Sequence, residues 1–91
     1  MSGDDDINVG KISGVFGIKG WLKIFSYTEP RDNILSYKLW LLKKDNQVKT
    51  IKVINGRLQG KSVVAQLDGI DSREQAELLV GHQIDITRQQ L

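Results

Sequence analysis

Ninety-one residues carrying a net charge of +2 can close one hydrophobic core but not two, so a single domain with one surface to search is expected. A composition of 40% apolar and 26% charged residues excludes wholesale disorder, and no apolar run approaches the ~20 residues needed to cross a bilayer. The absence of Cys excludes a disulfide framework and thiolate metal sites, and with an acidic start unlike a secretory signal it points to the cytoplasm.

Residues 1–6 read as a disordered acidic leader, since no apolar side chain after Met1 anchors them. From Ile7 onward the chain turns to short β-rich runs, Ile7–Val15, Trp21–Thr28, Leu39–Lys43, Val48–Asn55, Ser62–Leu67 and Gln83–Thr87, which predict six strands. Alternation places Val63, Ala65 and Leu67 on one face, inward, with Ile84 and Ile86 inward around Asp85. Residues 48–54 alternate poorly, and a bulge or a change of buried face is expected there. Asp45-Asn46 and Asn55-Gly56 suit tight hairpins that need positive φ, making the middle of the chain an antiparallel meander. One short helix is predicted near residues 72–80: Asp71 or Ser72 caps it, Glu74 or Gln75 completes a capping box, Ala76, Leu79 and Val80 form its apolar stripe, and Gly81 ends it. Six strands without βαβ alternation predict an all-β fold, a six-stranded antiparallel β-barrel plugged or flanked by that helix.

Chemistry-bearing motifs are sparse. Residues 56–62, Gly-Arg-Leu-Gln-Gly-Lys-Ser, resemble a phosphate loop but have the wrong glycine spacing and a strand pattern afterwards, so a hairpin turn accounts for them better. Gly10, Gly14, Gly17 and Gly20 do not form a dinucleotide fingerprint; Gly10 and Gly14 instead suggest bends, bulges or close backbone approach. His82 is the only histidine and lacks metal-ligating or nucleophilic partners, so no enzyme, cofactor or small-molecule substrate is expected. Charge is uneven: residues 38–61 hold seven bases (Lys38, Lys43, Lys44, Lys49, Lys52, Arg57, Lys61) against Asp45 alone. That stretch is a candidate polyanion-facing surface if folding gathers it on one face, and otherwise a set of solvated strand lysines that discourage edge pairing. Of six aromatics, Trp21 and Trp40 are assigned to the core or barrel rim, while Phe16, in the turn Val15–Gly20 beside Lys19, is expected to be the most exposed.

Val9-Gly10-Lys11-Ile12, Gly17-Ile18-Lys19-Gly20-Trp21-Leu22-Lys23-Ile24, Ser26-Tyr27-Thr28-Glu29-Pro30 and Asn33-Ile34-Leu35-Ser36-Tyr37, followed by the run from Leu67 to Gly81, resemble the amino-terminal half of RimM proteins. The resemblance covers the chain from about Val9 onward. It implies a six-stranded barrel of the translation-factor second-domain type over residues 7–91, followed in full-length members by a PRC-type barrel absent from this chain. It also implies a non-enzymatic assembly chaperone that binds the immature 30S subunit, assists 16S rRNA processing and head assembly, and engages small-subunit ribosomal protein nineteen. Much of that protein contact is attributed to the second half. Phe16 stands where many relatives carry histidine, so a polar contact made there does not carry over. The residues expected to touch ribosomal RNA or protein are Phe16, Gly17, Lys19, Lys23, Lys49, Lys52, Arg57 and Lys61, presented by a monomer; the alternative is a protein-only adaptor barrel without direct RNA contact.

Overall fold

The computed structural model describes residues 6–90. Six strands, β1 (Asp6–Phe16), β2 (Trp21–Ser26), β3 (Leu39–Lys44), β4 (Gln47–Gln59), β5 (Ser62–Leu67) and β6 (Gln83–Thr87), are joined by a 3-10 turn at Arg31–Ser36 and a helix α1 at Arg73–Glu77. They form a closed antiparallel barrel in the order β1-β2-β5-β4-β3-β6, with β6 pairing back onto β1. The expected all-β barrel is thus present, with β3, β4 and β5 as the expected meander. The leader expectation falls on residues outside those described, except that Asp6 already belongs to β1.

Closure follows from which side chains alternate inward. Ile12, Leu22, Ile24, Trp40, Leu42, Ile51, Val53, Val63, Ala65, Leu67, Ile84 and Ile86 form a continuous apolar core. Ile34 from the 3-10 turn joins it, as do Ile70, Ala76 and Leu79 from the α1 segment. β1 is long enough to pair with both β2 and β6 because it bends twice, with register shifts at Asn8/Gly10 and Ile12/Gly14. Gly10 is required there by space: a Cβ would lie 2.6 Å from the Phe25 carbonyl oxygen.

Two hairpin expectations diverge. Asp45 and Asn46 take positive φ (54° and 67°) between β3 and β4, as expected. Asn55-Gly56, by contrast, lies inside β4, where the register shifts between Val53 and Asn55, and the reversal into β5 comes later at Gly60-Lys61. Pairing of Asn55 with Gln66, Gly56 with Ala65 and Arg57 with Val64 carries β4 through the Asn-Gly pair in regular register, and the bulge anticipated for residues 48–54 falls at Ile54 just before it. The phosphate-loop lookalike is therefore strand followed by hairpin.

The α1 boundary follows the capping chemistry. The Ser72 hydroxyl accepts from the Gln75 backbone N–H at 3.2 Å, while the Gln75 side chain accepts from the Ser72 N–H at 3.1 Å. The segment packs over β1 and β2. Beyond it the chain turns at Gly81 (φ 95°), and His82 Nδ1 lies 3.0 Å from the Leu79 carbonyl oxygen.

A polar cluster ties the seam where β6 closes onto β1 and β3. Lys43 Nζ lies 2.7 Å from Asp6 Oδ2 and 3.0 Å from Asp85 Oδ2. Asn8 Nδ2 donates to Asp85 Oδ1 at 2.9 Å. Hydrogen bonding to Asp6 and then Asp85 holds the Lys43 ammonium above its ordinary pKa, against the opposing effect of partial burial. Lys43 therefore serves the barrel seam and is not a free part of the basic stretch.

Candidate functional site

β2 decides what the outer surface presents. Leu22 and Ile24 are buried, so strand alternation turns Trp21, Lys23 and Phe25 outward. Trp21 faces Phe16 across the β1–β2 pair, and Lys23 faces Val64 of β5, which in turn faces Arg57 of β4. Two consecutive strands, β1 and β2, and the sequence-distant β4 thereby place aromatic and cationic groups side by side.

The result is a shallow cleft of about 370 Å³ at the β1–β2 turn, lined by Phe16, Gly17, Ile18, Lys19, Trp21 and Arg57. The Arg57 guanidinium carbon lies 5.8 Å from the Phe16 ring centroid and 5.6 Å from that of Trp21, within cation–π range. Ile18, at the tip, is 77% exposed. The turn is fixed from behind: Gly20 (φ 88°) lets the chain pass against the backbone of Ile70–Ser72, and Arg73 Nη1 donates to the Gly17 carbonyl at 3.5 Å. A tip braced at Gly20 and carrying an apolar residue beside cations can grip a partner through both contact area and charge.

Of the eight residues expected to make contact, Phe16, Gly17, Lys19 and Arg57 meet in this cleft, with Lys23 adjoining on β2. Lys61 sits in the β4–β5 turn and lines a separate groove with Lys23. Lys49 and Lys52 stand apart on β4, opposite Leu42 and Leu39 of β3. The basic stretch is thus distributed around the barrel, because β4 bends at its bulge and consecutive residues alternate faces.

The aromatic assignments need one correction. Trp40 is fully buried and donates Nε1–H to the Ile34 carbonyl at 3.3 Å, and Trp21 is half-buried at the rim, as expected. Phe16 is also only half-exposed, packed beneath Arg57. The exposed aromatics are Phe25 at 56% and Tyr27 at 49%. The alternation Leu22/Ile24 inward against Trp21, Lys23 and Phe25 outward was the sequence signal that could have identified Phe25. Val64 likewise is buried on the outer face, where its register partners Lys23 and Arg57 bring long side-chain stems suited to covering it.

Among the described residues no group of three or more potential metal ligands is found, and no helix is long and apolar enough to cross a membrane. The family model for the RimM N-terminal domain matches residues 7–91. The ribosome maturation factor RimM of Hydrogenovibrio crunogenus is 51% identical over 90 residues, covering 97% of this chain and 50% of that protein. That of Pseudomonas aeruginosa is 42% identical over 88 residues, with the same coverage. A crystal structure of RimM from Pseudomonas aeruginosa superimposes with a TM-score of 0.91 at 41% identity, over 96% of this chain and 53% of the other. The solution structure of the N-terminal domain of RimM from Thermus thermophilus shares the fold, with a TM-score of 0.80 at 19% identity over 94% of this chain and 93% of that one. The chain spans about half the length of the curated relatives it matches. On sequence and on fold, this chain belongs to the RimM family of ribosome maturation factors, whose N-terminal domain it comprises.

Proposed function

We propose that this chain is a cytoplasmic, monomeric binding domain that docks on the immature 30S subunit and assists 16S rRNA processing and head assembly together with small-subunit ribosomal protein nineteen. It works by binding rather than by making or breaking bonds, and it needs no cofactor or small-molecule substrate. Family membership supplies the context, and the observation that carries the reading is the cleft of Phe16, Trp21 and Arg57 beside Lys19 and the exposed Ile18. Cations at such a surface displace counterions from RNA phosphates, so affinity falls with salt by a log-log slope of roughly −0.7 to −0.9 per phosphate neutralised.

The apolar share of that cleft supports a second reading, a protein-only adaptor whose surface cations are solvated. Co-sedimentation of the 91-residue chain with purified precursor 30S particles separates the two. RNA docking predicts steep salt dependence and weaker association for the Lys19→Ala/Arg57→Ala double variant. The same variant would retain its association, with a shallow salt response, if the partner were protein alone. Absence of any association with precursor particles would overturn both.

A further inference from the structure

Beyond Lys23, on the side away from the turn cleft, the outer surface of β2 borders a groove of about 250 Å³ lined by Ser13, Lys23, Phe25, Arg31, Lys61 and Ser62 among others. Resting on the reading that this domain meets ribosomal RNA, we propose that the groove seats one unpaired nucleotide, with Phe25 stacking on the base and Lys23, Arg31 and Lys61 meeting the flanking phosphates.

The ring is the first argument. Phe25 stands 56% exposed on the outside of a barrel whose core is already filled, so packing of this domain does not account for it. Tyr27 lies 5.7 Å away, centroid to centroid, tilted by 59°, and Lys11 Nζ lies 5.5 Å from the Phe25 centroid. An exposed aromatic with a cation beside it is the pairing that single-stranded nucleic acids use: any base can stack on the ring, and the nearby charge attracts its phosphate.

The walls are the second argument. Arg31 Nη1 donates to the Lys61 carbonyl at 2.8 Å, pinning the β4–β5 turn against the 3-10 turn. The Thr28 hydroxyl sits 2.8 Å from the Pro30 carbonyl and 2.9 Å from that of Arg31, holding the entry to that turn. The guanidinium has five N–H donors, so those not used on Lys61 can face a phosphate. Three cations and no carboxylate line the groove, a charge balance that favours a polyanion. A peptide of Asp and Glu alone would satisfy the charge but brings no flat face to the ring, and a duplex keeps its bases stacked away from it. An unpaired nucleotide uses both features.

Fluorescence anisotropy with labelled hexaadenylate, the same strand in a duplex, and an acidic peptide of equal charge tests this on the 91-residue chain. The single strand should bind best. Phe25→Ala should weaken it by about 5- to 150-fold, the range for removing a stacking ring. Phe25→Trp should restore binding, and Val48→Ala, an exposed position on β4 away from the groove, should leave it unchanged. Because Phe25 is exposed, an unchanged melting temperature should accompany the loss. Equal binding by wild type and Phe25→Ala, or peptide binding that matches the single strand, would overturn the proposal. If the chain still associates with precursor particles in that case, only the nucleotide seat is wrong; if neither particles nor oligonucleotide bind, the RNA reading fails with it.

Discussion

Replacing Gly20 with Ala tests how the turn cleft is held. Gly20 has φ 88°, and an added Cβ would lie 2.6 Å from the Ile70 carbonyl oxygen and 2.9 Å from the Ser72 backbone nitrogen. Gly17, at the other side of the same turn, has φ 74° but nothing within 4 Å of an added Cβ. Both substitutions incur the left-handed backbone cost of about 1–2 kcal/mol. Only Gly20→Ala must also push back residues 70–72, which puts at risk the Ser72 cap, worth ~1 kcal/mol, and part of the Ile70 burial, worth about another 1 kcal/mol. The expected losses are about 3–4 kcal/mol for Gly20→Ala against about 1–2 for Gly17→Ala. For a domain of this size the gap of ~2 kcal/mol corresponds to roughly 8–16 °C in melting temperature. Urea unfolding followed by the fluorescence of Trp21 and Trp40 gives the two midpoints. Equal midpoints for the two variants would refute the claim that close backbone approach, beyond positive φ, makes Gly20 necessary.

Lys43→Met removes the cation shared by Asp6 and Asp85 and should lower stability by about 1–2 kcal/mol at neutral pH, less than for a fully buried pair because Lys43 is partly exposed. Since its folded-state pKa is raised, the Lys43 contribution is complete below the unfolded value of about 10.4 and fades as pH rises through the higher folded value. The stability difference between wild type and Lys43→Met should therefore shrink in alkaline denaturation curves, and a gap that persists unchanged to high pH would contradict the assignment. Ser72→Ala should cost about 0.5–2 kcal/mol through loss of the capping box, measurable as a lower urea midpoint with an unaltered denaturant slope; a neutral effect would show that packing of Ala76 and Leu79 alone fixes α1.

What the sequence made legible was local. β-branched and aromatic runs bounded by Asp45-Asn46 and Ser72 mark the barrel because strand propensity, turn chemistry and capping act over a few residues. Asn55-Gly56 misled because an Asn-Gly pair that suits a hairpin turn is also tolerated within a strand, and the choice was made by pairing with β5 through and beyond it. The role of Lys43 was hidden because Asp6 and Asp85 approach it only after β6 has closed onto β1 and β3. At the candidate site, the residues of the β1–β2 turn were found together because they are neighbours in the chain. Arg57 joined them through two intervening strand pairings, while Lys49 and Lys52, nearer to Arg57 in sequence, did not.

Closure of the sheet also narrows how this domain can meet anything. Each strand has a neighbour on both sides over part of its length, and the stretches of β4 paired on one side only, Gln47–Ile51 and Asn55–Gln59, are short, so little sheet edge is left for a partner strand to extend. Contacts then fall mainly to turns and to outward side chains, whose identities are independent of the core as long as alternation is kept. β2 uses that independence most fully: Leu22 and Ile24 build the barrel while Trp21, Lys23 and Phe25 face outward. Outward substitutions at Lys23 and Phe25 should consequently change binding at nearly constant stability, whereas Leu22→Ala and Ile24→Ala should do the reverse, losing about 2–5 kcal/mol of stability. A single strand thus carries the fold on one face and the proposed contact residues on the other.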